Sequence, residues 1–593
     1  MEKQLLSGDE AIARGAWEAG CHVAAAYPGT PSTEILENLA TYEEVYCEWS
    51  TNEKVALEVA LGASICGARA LATMKHVGLN VAADPFFSAA YIGAYGGLVI
   101  VSADDPGMHS SQNEQDNRYY GMAAKVPVLS PSDSQEALDF TKQGFDLSEQ
   151  FDIPVLLRIT TRIAHSNTVV AVGPREAREV KGYDRQSTKT ILLPAFARRR
   201  HVDLEGRIDR LREYTEQTPL NRIEQGSAKL GIVCDGVAYQ YAREVFPDAS
   251  FLKLGMVHPF PAERVRRFAA QVSELIVIEE VDPFLEMQIR ALGLQVTGKD
   301  RLPRWDELTP GVVQRALAGA VAASGGVASE AGTATATMEL PAEPPTPEAD
   351  LPMRPPALCA GCPHMGIFFA LQKRKVIIGG DIGCYTLGAL APHEGMDTCI
   401  DMGASITFAH GADKALGEQD PRKRVAFIGD STFFHSGMTG LVNVAYNQSD
   451  VLTIIADNRT TGMTGHQEHP GTGKTLKGAP TDCVDPEAIA RACGIEQVAT
   501  VDPYQVKETR KVVSELLAHD GPAVLITKRA CALVSRIRET PKRVDPEICI
   551  YCKTCLRLGC PALTSREGKA FIVDTVCVGC GMCADVCPRG AIS

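Results

Sequence analysis

The chain has 593 residues, of which 45% are hydrophobic and 22% charged, and a net charge of −14 at pH 7. At about one domain per 150 residues that length predicts several domains with ordinary globular cores, and the acidic balance opposes phosphate-backbone binding, so no nucleic-acid partner is expected. No apolar run reaches the roughly 18 residues of a membrane span, and the opening stretch lacks a signal-peptide layout; a cytoplasmic protein with no membrane partner follows.

Residues 1–175 alternate helical and strand patterns. The opening stretch reads as a helix capped by Asp9, CHVAAAY as a buried strand, and Pro28-Gly29 as a turn leading through Ser32 into the next helix. ALATMK, GLVIVSA and IPVLLRI are further strands, with a helix from Ser134 before the last. This alternation predicts a doubly wound α/β layer, in which ligands sit at the carboxyl ends of parallel strands. Three loops at such ends, AAYPGTPSTE, TMKHVGLN and SADDPGMHSSQNEQDNR, are polar or glycine-rich. Each alone reads as surface; three together mark a site.

Residues 176–317 open with a charged, weakly patterned stretch to Asn221, read as a connector. A second α/β unit follows, with strands KLGIVCD, SFLKLG and SELIVIEE and no catalytic cluster. Residues 318–356 have the composition of a flexible linker. Residues 357–541 form a third α/β domain with strands KVIIGG, RVAFIGD, VLTIIADN and PAVLITK, and residues 542–593 form a cysteine-rich module.

In the third domain, Gly429-Asp430-Ser431 ends one strand and Asp457-Asn458-Arg459-Thr460 ends the next. A carboxylate and a carboxamide facing one crevice can share a hard divalent cation. Magnesium keeps few protein ligands and favours phosphates, which implies a diphosphate-bearing cofactor, with Gly429 letting the backbone close on it.

The last module holds eight of the nineteen cysteines. They read Cys549-x2-Cys552-x2-Cys555-x4-Cys560-Pro and Cys577-x2-Cys580-x2-Cys583-x3-Cys587-Pro. Two 4Fe-4S cubanes fit, because each two-residue gap converges thiolates on one cluster and the fourth ligand crosses from the other set. One cluster then takes Cys549, Cys552, Cys555 and Cys587, and the other Cys577, Cys580, Cys583 and Cys560. A zinc ribbon needs only two cysteines per knuckle, and a disulfide framework belongs to secreted chains. The longer gap before Cys560 departs from the usual pattern.

The order of YPGTPSTE, NEKVALEVALGAS, CAGCPH, Gly-Asp-Ser with its Asn, and the two-cluster ending resembles the 2-oxoacid:ferredoxin oxidoreductases over nearly the whole chain. The resemblance implies two doubly wound thiamine diphosphate-binding domains, an intervening α/β domain like the transketolase C-terminal one, and a ferredoxin-like α+β module. It implies thiamine diphosphate with Mg2+ held by Asp430, Asn458 and the Thr460 carbonyl, and covered near Gly78, Ser431, Gly462 and His466. Glu53 matches the glutamate that bonds the aminopyrimidine; by itself it reads as a first-turn carboxylate favoured by the helix dipole. Thr30 matches a substrate-contacting position. His76 and Arg118 are candidate partners of a substrate carboxylate, and a structural role for His76 stands beside that.

Cys359, Cys362, Cys384 and Cys531 resemble the ligands of a third, proximal cubane; as residues alone they read equally as ordinary buried thiols. The implied activity is oxidative decarboxylation of an arylpyruvate, chiefly indolepyruvate, with coenzyme A, passing electrons through the clusters to ferredoxin in an anaerobic setting and serving aromatic amino acid catabolism. The small γ-type domain of single-chain relatives is missing, so a smaller β subunit is expected as partner. Two rivals stand beside this reading: a non-oxidative thiamine decarboxylase and an electron-transfer subunit on a non-catalytic scaffold.

Overall fold

The computed structural model describes residues 2–111, 113–317, 356–475 and 478–593. The predicted linker, 318–356, lies outside the described residues except for Pro356. Three parallel-sheet layers organise the chain, as the alternation of apolar runs with helices predicts. The first is a seven-stranded sheet in the order Met256–His258, Val128–Leu129, Val155–Thr160, Leu98–Asp104, Ala70–Lys75, Val23–Ala26, Tyr46–Trp49. All its neighbours pair parallel except Met256–His258, which joins antiparallel from the second unit.

The second layer has four strands, ordered Glu274–Ile278, Ser227–Asp235, Ala249–Leu254, Arg222–Glu224, with only the last antiparallel. The third is a fully parallel six-stranded sheet in which Lys423–Gly429 and Val451–Asp457 are central neighbours. Every residue of Val451–Asp457 is buried, which explains its continuous apolar run: helices cover both faces. In the final module the two cysteine sets flank a hairpin of Leu563–Arg566 with Lys569–Ile572.

The first and third layers are joined by helix Glu53–Ile65 packed along helix Ala404–Leu416. Eleven of the thirteen residues in Glu53–Ile65 are buried, and its Ala and Gly positions let the two helix backbones come close.

Three expectations are corrected. The chain opens with strand Glu2–Leu6, paired antiparallel to Thr168–Val172, not with a helix. The first helix, Gly8–Glu18, is capped by Ser7 in a reciprocal capping box with Glu10, so Asp9 is a buried first-turn residue and not the cap. The stretch after Arg175 contains a 22-residue helix, Pro194–Thr215. Its apolar stripe, Leu204, Ile208 and Leu211, is narrow and hidden among arginines, which is why composition reads it as connector. Among the described residues no helix is long and apolar enough to cross a membrane.

Candidate active site and its cysteine cavities

Asp430 and Asn458 stand just past the carboxyl ends of the two central strands of the third sheet, so parallel pairing alone brings them side by side. Both are buried beside a cavity of about 110 Å3 whose wall includes Gly429, Ser431, Thr460 and Gly462. Asp430 Oδ1 accepts from the Ser431 amide at 2.9 Å and Oδ2 from the Arg459 amide at 2.8 Å. Asn458 Oδ1 accepts from the Thr460 amide at 3.2 Å. Burial, and then the neighbouring Asp430 charge, raise the Asp457 carboxyl. Crowded carboxylates with a carboxamide oxygen are a donor set that suits a hard divalent cation.

Two histidines not assigned to this cavity from sequence contact residues of its wall. His469 Nε2 lies 3.0 Å from Asp430 Oδ2 with both side chains buried. His364, from the CAGCPH stretch, sits 3.4 Å from the Asn458 amide nitrogen, and burial holds its imidazole down at about 4, hence neutral. The spacing HxxH was visible; which histidine turns inward was not. His466 is exposed and lies on the wall of the neighbouring cysteine cavity.

The first domain presents a second cluster of predicted residues. Glu53 opens its helix behind Asn52, whose side chain accepts from the Val55 amide at 2.9 Å. Burial raises the Glu53 carboxyl, with Lys75 opposing. Helix His76–Val81 lies so close that a Cβ on Gly78 would come within 2.7 Å of Glu53 Cγ, so any larger residue there would displace the Glu53 side chain. The three strand-end loops converge: Lys75 Nζ donates to the Ser110 carbonyl at 3.0 Å, and Ser110 Oγ to the Thr30 carbonyl at 3.0 Å. Thr30 is exposed. His76 is fully buried, with Nε2 3.0 Å from the Asn113 side-chain oxygen and Nδ1, among the described residues, without a partner.

The start of the Glu53 helix is docked on the third domain. The Thr51 amide donates to Asn443 Oδ1 at 3.2 Å and its hydroxyl to the Thr439 carbonyl at 3.0 Å. Lys54, next to Glu53, pairs with Asp401 at 2.7 Å and donates to the Met402 carbonyl at 3.2 Å. Met402 is part of the wall of the Asp430 cavity, so the predicted cofactor groups of the two domains lie on elements in direct contact.

Arg118 is not available to a substrate. It is fully buried, bonded to Asp116, within 3.1 Å of Asp235 and 2.9 Å of Glu279, and its guanidinium lies 5.0 Å from the Phe284 ring. Even beside that arginine, burial raises the Glu279 carboxyl to about 7. Arg118 fastens the first layer to the second; from sequence its loop resembled a site because two of its acidic partners, Asp235 and Glu279, are more than a hundred residues away.

Twelve of the nineteen cysteines fall into three groups. Cys560, Cys577, Cys580 and Cys583 line one cavity, and Cys549, Cys552, Cys555 and Cys587 line another, so the last cysteine of each set crosses to the other. Cys359, Cys362, Cys384 and Cys531 line a third, of about 260 Å3. Four thiols from three loops around one cavity are a donor set that fits a cubane. This cavity shares Cys384, Asn458, Gly462 and Met463 with the Asp430 cavity, and the Cys531 amide donates to the Asn458 carbonyl at 2.9 Å. Ala360 and Gly361, between Cys359 and Cys362, line the Cys560 cavity. Loop 359–362 therefore separates two cysteine cavities by one layer of backbone.

Comparison with known proteins agrees with this arrangement. Residues 14–203 match the family described as pyruvate flavodoxin/ferredoxin oxidoreductase, thiamine diP-bdg, and residues 381–527 the thiamine pyrophosphate enzyme C-terminal TPP binding domain. Residues 570–593 match the 4Fe-4S binding domain; the first cysteine set, with its longer gap, lies outside that match. Indolepyruvate oxidoreductase subunit IorA of Archaeoglobus fulgidus is 44% identical over 100% of this chain and 97% of its own length. The proteins of the same name from Pyrococcus horikoshii and Methanothermobacter thermautotrophicus are 42% and 41% identical, again over 100% of this chain and over 96% and 97% of theirs. Fold, site and matches define a thiamine diphosphate-dependent 2-oxoacid ferredoxin oxidoreductase that carries 4Fe-4S iron-sulfur chemistry. Within that class, the chain belongs to the family of indolepyruvate oxidoreductase subunit IorA.

Proposed function

We propose that this chain oxidatively decarboxylates arylpyruvates, indolepyruvate above all, yielding the aryl-acetyl-CoA and CO2, with ferredoxin as the electron acceptor. The observation that carries the substrate class is the full-length likeness to relatives named for indolepyruvate. When bound, thiamine diphosphate supplies the electron sink for decarboxylation. Asp430, the Asn458 carboxamide and the Thr460 carbonyl would hold its Mg2+, and the presence of all three residues on the wall of one cavity supports this. Neutral His364 and buried His469 orient Asn458 and Asp430. Glu53, its carboxyl raised by burial, faces the aminopyrimidine and exchanges a proton with it.

Three cubanes would carry the electrons out: one held by Cys359, Cys362, Cys384 and Cys531, next to it across loop 359–362 one held by Cys560, Cys577, Cys580 and Cys583, and last, in the same terminal module, one held by Cys549, Cys552, Cys555 and Cys587. A smaller β subunit completes the enzyme. The decisive assay is anaerobic ferredoxin reduction with indolepyruvate, phenylpyruvate, pyruvate and 2-oxoglutarate, with and without coenzyme A and the β subunit. CoA-dependent reduction driven by the two arylpyruvates is expected. Reduction driven only by pyruvate or 2-oxoglutarate refutes the substrate class, and full activity without a second subunit refutes the heteromer.

A further inference from the structure

The first helix carries a fully buried acid, Asp9, and among the described residues neither of its carboxylate oxygens has a hydrogen-bond partner. One oxygen of Asp9, one of Glu34 and one ring nitrogen of His165 all lie within 4.8 Å of one another. Glu34 also has a buried oxygen without a partner. The residues come from three elements, helices Gly8–Glu18, Thr33–Leu39 and Thr161–His165, none of which lines the Asp430 or cysteine cavities. Their approach is tight: a Cβ on Gly8 would lie 2.1 Å from the Ile163 carbonyl oxygen, so glycine is required where the first helix meets the third.

A desolvated acid without a partner is costly. The charges that act most strongly on Asp9 after burial are those of Glu34 and Glu10, and all three effects push its carboxyl up. Among the described residues no positive charge is one of the groups acting on Asp9, and two carboxylates and an imidazole surround one point. We propose that Asp9, Glu34 and His165 bind a divalent cation of the borderline class that takes nitrogen and oxygen together, such as Zn2+ or Mn2+. Bonds of about 2.0–2.2 Å set tetrahedral ligand atoms roughly 3.3–3.6 Å apart, which small side-chain rotations reach from the observed spacing.

The cation has a structural consequence for the loop that resembles a substrate contact. Glu34 lies in the first turn of helix Thr33–Leu39, and that turn is fastened to the Pro28–Pro31 loop: Thr33 Oγ1 accepts from the Gly29 amide at 2.9 Å, and Ser32 Oγ donates to the Gly29 carbonyl at 2.8 Å. A metal on Glu34 anchors the rear of that loop to the first helix.

The test uses the cluster-loaded chain saturated with thiamine diphosphate and Mg2+, in equilibrium dialysis against Zn2+ and, separately, Mn2+. Wild type is expected to retain one more equivalent of at least one ion per chain than His165→Ala and Asp9→Asn. Thiol and thiamine sites are common to all three proteins and cancel. His165 is exposed, so His165→Ala keeps the comparison valid if Asp9→Asn does not fold. Equal retention of both ions by wild type and His165→Ala overturns the proposal and leaves Asp9 a buried protonated acid.

Discussion

Replacing Glu48 by glutamine tests how the two thiamine-type layers are held together. Glu48 lies on edge strand Tyr46–Trp49 and is 5% exposed. Its Oε1 accepts from Asn443 Nδ2 and Ser50 Oγ, both at 2.9 Å, and its Oε2 accepts from Tyr46 at 2.7 Å and pairs with His410 of helix Ala404–Leu416. Burial by itself would raise the carboxyl; the His410 charge and the hydrogen bonds of His410, Asn443 and Tyr46 outweigh it and hold it at about 2. The gap between that value and the ordinary 4.5 corresponds to about 3 kcal/mol at neutral pH.

Because the carboxyl is held low, this contribution is complete above pH 4.5 and is lost as pH falls towards 2. Hydrogen exchange of the Ala404–Leu416 amides in the anaerobic, cluster-loaded chain is the assay. Glu48→Gln should speed exchange by roughly 100-fold at pH 7, with the ratio to wild type shrinking below pH 4.5. A change under about threefold at pH 7, or a ratio that grows on acidification, refutes the account.

Cys531→Ser should lower iron from about twelve to about eight per chain and stop substrate-driven reduction while the terminal clusters keep their spectra; unchanged iron removes the third cluster from the electron path. Glu53→Gln should abolish substrate-dependent ferredoxin reduction with cluster absorption intact, and turnover within about tenfold of wild type rules out its role at the cofactor. Arg118→Met leaves Asp116, Asp235 and Glu279 without their cation, so a loss of about 3–5 kcal/mol in thermal or denaturant stability is expected. KM for the oxoacid should stay unchanged in that variant; a stable protein with a tenfold higher KM would return Arg118 to substrate binding.

Local chemistry was legible wherever one stretch of chain carries the whole signal. Cysteine spacing declares its own convergence, a fully buried parallel strand reads as an unbroken apolar run, and Gly429-Asp430-Ser431 followed by Asn458 marks two neighbouring strand ends. The helix opened by Glu53 and the three loops of the first domain were likewise visible. The helix Pro194–Thr215 was not, because only three of its apolar residues are buried and its many arginines leave composition looking like a connector. At the amino terminus, Ser7 and Asp9 are both credible caps, and only the reciprocal bond with Glu10 decides between them.

What tertiary structure alone decided is which side chains meet across long separations. Arg118 and His469 show the two directions of this. The first is drawn into a buried ion cluster with residues 235 and 279, and the second is turned onto Asp430 by the fold of its loop. The same holds for Cys359, Cys362, Cys384 and Cys531, whose spacing says little until the sheet brings their three loops to one cavity beside Asn458. Spacing along the chain specifies motifs whose ligands are near neighbours. Burial, charge pairing and shared cavity walls depend on packing between elements, and these settle which candidates stand together.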